Sequence, residues 1–352
     1  MSTPRIEINL GSIRSNAKAI SAGLNELGIE VLGVTKLVCG DTRISRAICE
    51  EGINRLGDSR IKNLQRLSQA GISAELGLLR ISHPGEAQEV VKTCSWSMQS
   101  QLQTLAALNR AAGDASTSHG VLLMVEMGDL REGALPKELP GLMRFVLGAG
   151  SLYLEGIGVN MACFGGILPS QAFLDQFLSL KRSLEGEFQI HFKTVSFGNS
   201  AVLSQALSRD LCGLNQVRIG EALFLGREPG TGQPLEGLKT DSFRLIGSVL
   251  ECLEKSREPY GGKRSKNAFG EVVDFEGTKG KFHMLVDLGR QDTNPSSLKN
   301  PEFEIIGGSS DYLVLRSPVK VDLGSEIIFT GNYEAVLRAM VSPFVQKVYK
   351  EE

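Results

Sequence analysis

Short apolar runs alternate with longer amphipathic stretches through the first two-thirds of the chain. We predict strands at residues 30–36, 54–58, 75–80, 95–99, 121–127, 154–160, 192–197 and 216–219. Apolar residues at helical spacing lie between them, at 42–51, 61–70, 99–112, 136–149 and 169–184. Strands that alternate with helices predict βα units and a parallel sheet. Eight strands are the number that an α/β fold with a (β/α)₈ TIM-like barrel needs, and a doubly wound open sheet is the alternative.

The pattern changes near residue 230, where Pro and Gly punctuate residues 228–234. Beyond it we predict a loop over the polar stretch 254–281 and short strands at 243–251, 281–287, 304–306, 311–315 and 327–330. We therefore expect two domains, a barrel over residues 1–230 and a β-rich C-terminal domain over 231–352. The first apolar run, at about residues 4–10, is a strand that can pack with the second domain.

Composition narrows the function classes. The 352 residues carry a net charge of −2, so a broad nucleic-acid-binding face is not expected. No stretch approaches the roughly 18 apolar residues of a membrane span, and no apolar segment follows the first five residues, which favours a cytoplasmic protein without a signal peptide. The six cysteines form no CxxC pair and the four histidines no HxH or HExxH motif, so neither a metal site nor a disulfide scaffold is predicted.

Candidate chemistry lies where predicted strands end, because parallel barrels carry their active sites at the C-terminal ends of the strands. Lys36 closes the first barrel strand. A desolvated lysine loses its proton more easily and can form a Schiff base, whereas the alternative is a lysine that extends along the surface to water. Ser200 and the Gly220–Glu221 amides follow the last two strands, where such barrels often hold a phosphate; ordinary polar turns are the alternative.

Taken together and in order, these features resemble the alanine racemase-like enzymes of fold type III, which use pyridoxal phosphate, and within them most closely the ornithine racemase branch. The stretches that carry the resemblance are 34–41, 58–64, 128–133, 198–200, 218–222 and 287–292. They cover nearly the whole chain. The resemblance implies an amino-acid racemase that acts as a homodimer with composite active sites.

The resemblance also implies which residues hold the cofactor. They are Lys36, Arg131, Asn160, Asn199, Ser200, Arg218, Gly220 and Glu221. Lys36 would hold pyridoxal phosphate as an internal aldimine and act as one proton-transfer base. Arg218 would face the pyridine nitrogen. Because an arginine keeps its proton, the ring nitrogen would stay unprotonated, which suits racemisation over side reactions such as transamination.

The second base departs from the family pattern. Alanine racemases take it from a tyrosine of the partner subunit, in a run that here is Gly289-Arg290-Gln291-Asp292. A racemase still needs a proton-transfer group within about 3 Å on each face of the α-carbon, directly or through one water. The candidates for that group are Cys39, Cys163, Asp292 and Tyr312. A modified lysine of the family would fall at Met124.

The resemblance favours ornithine or a similar basic amino acid as the substrate. A side-chain ammonium would pair with a carboxylate, and Asp129, Glu132, Asp292 and Asp311 are available, although a solvated loop is the alternative for Asp129 and Glu132. The predicted substrate contacts are Arg131, Asp129, Arg290 and Asp311. Three alternatives stay open: an alanine or broad-specificity racemase, a pyridoxal-phosphate carrier with little turnover, and an aldolase or decarboxylase on the same cofactor.

Overall fold

The computed structural model describes residues 4–208, 213–256, 259–262, 265–272 and 280–351. Two compact units divide the chain. One is Ile13–Lys239, and the other combines Met1–Ser12 with Thr240–Glu352. The sequence places the boundary between domains at residue 230. Of the predicted loop at 254–281, residues 257–258, 263–264 and 273–279 lie outside the described residues.

Strands and helices are numbered in chain order. The strands are β1 (Arg5–Asn9), β2 (Glu30–Val34), β3 (Arg55–Asp58), β4 (Glu75–Leu78), β5 (Trp96–Gln99), β6 (His119–Val125), β7 (Leu152–Val159), β8 (Thr194–Phe197), β9 (Gln216–Ile219), β10 (Phe243–Glu254), β11 (Phe282–Val286), β12 (Leu298–Lys299), β13 (Glu304–Gly308), β14 (Leu313–Ser317), β15 (Glu326–Gly331) and β16 (Gln346–Lys350). The helices are α1 (Leu10–Asn25), α2 (Thr42–Glu50), α3 (Ile61–Gln69), α4 (Ala87–Thr93), α5 (Leu102–Asp114), α6 (Leu139–Gly148), α7 (Gln171–Phe188), α8 (Leu203–Ser208), α9 (Glu221–Leu225) and α10 (Tyr333–Val341).

Strands β2 to β9 form a closed barrel in which each strand is parallel to its neighbours. Closure comes from β9, which returns to pair with β2 so that Glu30 lies opposite Gln216 and Gly33 opposite Ile219. This confirms the predicted (β/α)₈ barrel and excludes the open sheet. It also brings the C-terminal ends of all the barrel strands to one rim.

Large apolar side chains fill the barrel interior. Leu32, Trp96, Met98, Leu122 and Met124 form a buried cluster contributed by β2, β5 and β6. Trp96 fits because β4 carries Gly77 beside it, where an added Cβ would lie 2.1 Å from the indole ring. The interior is therefore packed protein, and chemistry is left to the rims.

A charged cluster closes the rim at the N-terminal ends of the strands. Arg55 donates to Glu155 at 2.8 Å, to Glu75 at 2.9 Å and to Glu30 at 3.3 Å. Glu155 is fully buried and also accepts from Lys193 at 3.2 Å and Thr194 at 3.0 Å. Arg55 and Asp58 lie at opposite ends of β3, so this cluster is separated from the rim that carries Lys36.

The second unit is built on an antiparallel sheet in the order β12-β15-β10-β11-β14-β13. Strand β1 joins it, antiparallel to β10 and parallel to β16. This bears out the predicted β-rich C-terminal fold. Among the described residues, no helix combines the length and apolar character needed to cross a membrane.

Replacing Glu155 tests the charged cluster. In Glu155→Ala, the buried Arg55 guanidinium loses its most buried partner, so the free energy of unfolding should fall by about 3 kcal/mol. Urea denaturation followed by circular dichroism measures this change. Glu187→Ala removes an exposed partner of Arg144 and should cost less than about 1 kcal/mol. Equal losses in the two variants would show that the cluster does not stabilise the barrel.

Candidate active site

Lys36 lies just beyond the end of its strand. Strand β2 ends at Val34, and a short 3₁₀ turn over Thr35–Val38 carries Lys36 onto the rim. The prediction that residues 35 and 36 belong to the strand is therefore wrong; the turn ends at Cys39, which has a left-handed backbone with φ of 55°. The Lys36 side chain is exposed to solvent at this rim, although the protein atoms around its amine partly desolvate it. Desolvation, with the nearby charge of Arg131, lowers the pKa of Lys36.

A hydrogen-bonded network beside Lys36 holds this turn. Thr35 donates to Asp58 at 2.8 Å, and Asn63 donates to the other Asp58 oxygen at 3.0 Å. The Cys39 thiol lies 3.7 Å from the side-chain amide oxygen of Asn63. Gly40 permits this approach, because a Cβ there would lie 2.7 Å from Asn63. Burial raises the pKa of Asp58, and the hydrogen bond from Thr35 opposes that rise.

The side chain of Arg131, in the loop after β6, has two partners. Its Nε donates to Glu132 at 2.9 Å and its Nη2 donates to the same carboxylate at 2.5 Å, while Nη1 lies 2.9 Å from the Cys163 sulfur. Burial alone would lower the pKa of Arg131, but the bonds and charge of Glu132 outweigh it and raise the pKa. Arg131 and Cys163 both influence the pKa of Lys36, so the three groups share one site.

Arg218, on β9, is the most enclosed cation of the site and is 5% exposed. It donates to the Ser196 hydroxyl at 2.7 Å, to the backbone carbonyl of Val159 at 2.7 Å and to the side-chain oxygen of Asn160 at 3.0 Å. Burial lowers the pKa of Arg218 to about 10, and the charge of Glu132 opposes this shift. The guanidinium therefore stays charged at neutral pH.

Ser200 forms the centre of a polar cradle after β8. Its oxygen accepts from the backbone amides of Gly220 and Ala222, each at 3.2 Å. The hydroxyl hydrogen then has no acceptor among the described residues and can donate to an anion. Asn199 supports the cradle, since it accepts from Ala201 at 2.9 Å and donates to the Met161 carbonyl at 2.8 Å.

Glu221 follows Gly220 at the start of α9. Burial raises the pKa of its carboxyl to about 7, which the charge of Lys36 opposes and that of Glu228 reinforces. The structure therefore places a carboxyl of raised pKa within electrostatic reach of Lys36.

Asp129 is 1% exposed, so the solvated-loop alternative is wrong for this residue. One of its oxygens accepts from the backbone amides of Cys163 and Gly165, each at 3.2 Å. The other oxygen is buried and has no hydrogen-bond partner among the described residues. Asp129 thus holds the loop that carries Cys163 next to Arg131.

The four remaining predicted site residues belong to the C-terminal unit. Asp292 is buried and accepts from Ser342 at 3.0 Å and from the Gly289 amide at 3.1 Å, so its carboxylate anchors a turn. Arg290 donates to the Gly308 carbonyl at 3.0 Å. Asp311 is exposed and accepts from Gln291 at 2.7 Å, and the neighbouring Tyr312 is 40% exposed.

Glu132 and Ser196 each contact an arginine of this site, and the sequence gives neither of them a role toward the cofactor. Ser196 is one of two polar residues in the buried strand β8, the other being Thr194, and a buried hydroxyl is a signal for a partner inside the protein. Glu132 gives no comparable signal, because its partners depend on how two loops fold. Met124, the position of the family's modified lysine, is a buried member of the barrel core.

Comparison with known proteins agrees with this geometry. A family model described as "Alanine racemase, N-terminal domain" matches residues 8–228. The chain is 34% identical to a lysine racemase of Thermotoga maritima, over 99% of this chain and 98% of that protein. It is 32% identical to an ornithine racemase of Acetoanaerobium sticklandii, over 98% of this chain and 99% of that protein. The solved alanine racemase of Streptomyces lavendulae superimposes with a TM-score of 0.79 at 20% identity, covering 100% of this chain and 98% of that one.

The barrel, its rim of cationic side chains and these relatives define an isomerase that depends on pyridoxal phosphate. The chain belongs to the alanine racemase family and is an amino-acid racemase. Among the described residues, no group of three or more His, Cys, Asp or Glu side chains is placed to hold a metal ion.

The site residues fit the cofactor. Lys36 offers an amine whose pKa is lowered, as covalent attachment to an aldehyde requires. The Ser200 oxygen already accepts from the Gly220 and Ala222 amides, so its hydroxyl hydrogen, which has no acceptor among the described residues, is the donor that suits a phosphate. Arg218 offers a fixed positive charge in a buried position, where a ring nitrogen can accept a hydrogen bond.

The lowered pKa of Lys36 predicts its reactivity. Because the neutral amine reacts with an aldehyde, borohydride trapping of pyridoxal phosphate on Lys36 of the cofactor-free protein should be half-maximal below pH 10.5, the ordinary value. Arg131→Met removes a positive charge and should move that midpoint upward. Peptide mass spectrometry across a pH series measures both. Arg144→Met, in an exposed pair, should leave the midpoint in place. A wild-type midpoint at or above pH 10.5, the ordinary value, would contradict the lowered pKa of the Lys36 amine.

Proposed function

We propose that this protein racemises a basic amino acid, lysine or ornithine, with pyridoxal phosphate held covalently by Lys36. The observation that carries the proposal is the group of Lys36, Arg131 and Arg218 on the C-terminal rim of the barrel, beside the Ser200 cradle. The substrate class is supported by the two relatives named as lysine and ornithine racemases, each of which aligns over nearly its whole length.

Different loops and strand ends of the rim would provide the contacts to the cofactor. Ser200 would donate its hydroxyl hydrogen to the phosphate, with the Gly220 and Glu221 amides beside it. Arg218 would donate to the ring nitrogen and keep its proton, and Asn160, which Arg218 already contacts, would lie against the ring. Pyridoxal phosphate, when bound, withdraws electrons from the substrate α-carbon and makes its proton acidic. With an unprotonated ring nitrogen this withdrawal is modest, which favours prompt return of the proton.

Lys36 would move the α-proton on one face. Its lowered pKa keeps more of the amine neutral near pH 7, so it can accept a proton and later return it. Arg131 lies close enough to influence this amine and would bind the substrate carboxylate. The Glu132 carboxylate fixes the orientation of Arg131 for that contact.

On the opposite face, Cys163 is the candidate with the strongest support within the barrel unit. Its thiol is exposed and lies 2.9 Å from the Arg131 guanidinium. Cys39 is less exposed and is paired with Asn63, and the Asp292 carboxylate already accepts two hydrogen bonds. Tyr312 stays a candidate from the C-terminal unit.

We also propose a homodimer, because the resemblance implies sites completed by the partner's C-terminal domain. Asp311 and Tyr312 are exposed and would be available for that purpose. The Asp311 carboxylate would suit a substrate side-chain ammonium, as would the unpartnered oxygen of Asp129. An alanine or broad-specificity racemase and a cofactor carrier with little turnover are the alternatives.

Exchange in deuterated water tests the proposed activity. Purified protein loaded with pyridoxal phosphate should convert L-lysine or L-ornithine to the D-enantiomer with deuterium at the α-carbon, and faster than L-alanine. Lys36→Ala should lose more than about 1000-fold, in line with removal of a positioned acid–base group. Chiral chromatography with mass spectrometry measures it, and light scattering gives the oligomeric state. Faster turnover of alanine would overturn the substrate class, and cofactor binding without exchange would favour the carrier.

The second proton-transfer group can be identified from the direction of exchange. A group that serves one face acts on one enantiomer, so its removal should suppress α-proton exchange from that enantiomer more than from the other. We expect Cys163→Ala to be selective in this way and Cys39→Ala and Asp292→Asn not to be. Tyr312→Phe is the matched test for the C-terminal unit. Equal loss from both enantiomers in Cys163→Ala would indicate that its sulfur serves to place Arg131.

A further inference from the structure

A continuous row of hydrogen bonds joins the two arginines of the site. Glu132 accepts from Arg131 and also from the side-chain amide of Asn160 at 3.0 Å. Asn160 in turn accepts from Arg218 at 3.0 Å. We call Glu132 and Asn160 the arginine link. Its members come from the loops after β6 and β7, and Arg218 comes from β9.

The contacts of Glu132 are all made to donors of the site. Its two oxygens accept three hydrogen bonds, and every donor is an N–H group of Arg131 or Asn160. These donors match the acceptor oxygens of a glutamate side chain. The same contacts orient the Asn160 amide, because its NH₂ group faces Glu132 and its carbonyl oxygen is left for Arg218.

Arg218 depends on this arrangement. Its described partners, Ser196, the Val159 carbonyl and Asn160, are all neutral. A buried cation without a directly paired anion is costly to maintain. Within the described part of the site, Glu132 is the carboxylate that reaches Arg218, through the oriented amide of Asn160.

We propose that Glu132 is a positioning residue that acts on both arginines: it orients Arg131 directly and, through Asn160, stabilises the charge of Arg218. One carboxylate would then set the geometry at the substrate end of the site and the electrostatics at the ring end. This inference deepens the proposed function and rests on the cofactor contacts given there for Arg131 and Arg218.

Glu132→Gln is the direct test. It preserves the size of the side chain, removes the charge and turns one acceptor into a donor facing an arginine. We expect kcat/KM to fall about 100-fold, mostly through kcat, because both arginines lose their positions. The absorption maximum of the bound cofactor should shift, since the net charge around it rises by one. Glu132→Asp restores the charge and should recover part of both readouts.

A double-mutant cycle tests the route through Asn160. Asn160→Ala leaves Glu132 paired with Arg131 but cuts the connection to Arg218, so the absorption should shift in the same direction as in Glu132→Gln. Because the two residues act in series at Arg218, the shift in the double variant should not exceed the larger single shift. Additive shifts would show that Glu132 and Asn160 act independently and would overturn the link.

Glu187→Gln is the matched control, because it makes the same chemical change in an exposed arginine–glutamate pair, Arg144–Glu187. It should retain wild-type kcat/KM and absorption. The proposal fails if Glu132→Gln, folded and loaded with cofactor, stays within twofold of wild type in kcat and keeps the wild-type absorption maximum. Should Glu132→Gln not fold, the absence of a spectral shift in Asn160→Ala would overturn the proposal in its place.

These outcomes are separate from those of the proposed function. The absorption spectra are recorded without substrate, so they test the arginine link even if neither lysine nor ornithine is turned over. Kinetic comparisons can use whichever amino acid shows α-proton exchange. If neither lysine nor ornithine is the substrate, the role of Glu132 can therefore still be tested by absorption and by kinetics.

Discussion

Closure of the parallel barrel is the constraint on which the site depends. When β9 pairs with β2, the loops that follow β2, β6, β7, β8 and β9 come to a single rim. Lys36, Arg131 and Ser200 are far apart in sequence and meet only because their strands share this direction. An open sheet with the same strands would spread these loops along an edge, so the hydrogen bonds between strands are as necessary to the site as its own side chains.

Three cationic side chains lie on this rim, and the surrounding protein accommodates the charge of each in a different way. The pKa of Lys36 is lowered, and Arg131 pairs with a carboxylate. Arg218 is buried and forms hydrogen bonds to neutral groups. These three solutions suit three needs: an amine that can exchange protons, a cation that can turn toward a substrate carboxylate, and a cation that does not release its proton. Glu132 lies between the last two and links them.

Much of the fold follows from the sequence because apolar periodicity is a local signal. The strand count, the change near residue 230 and the strand-end position of Lys36 are all visible in it. Side-chain partners are not local. From the sequence, Asp129 could be a solvated loop residue. In the structure its carboxylate accepts a hydrogen bond from the backbone amide of Cys163, which is 34 positions away. Glu132 likewise has one of its partners, Asn160, on the next loop along the barrel.

The charged cluster around Arg55 has a consequence for how this protein can change. It lies at the ends of the strands opposite to Lys36, and within the described part of the chain its hydrogen bonds reach none of the groups that would perform chemistry. Trade-offs between stability and activity arise where one residue must serve both purposes. Here the two purposes occupy different ends of the same strands. Thermostabilising substitutions at the Arg55 end, and altered substrate preference at the other, could therefore accumulate independently during evolution or in directed selection.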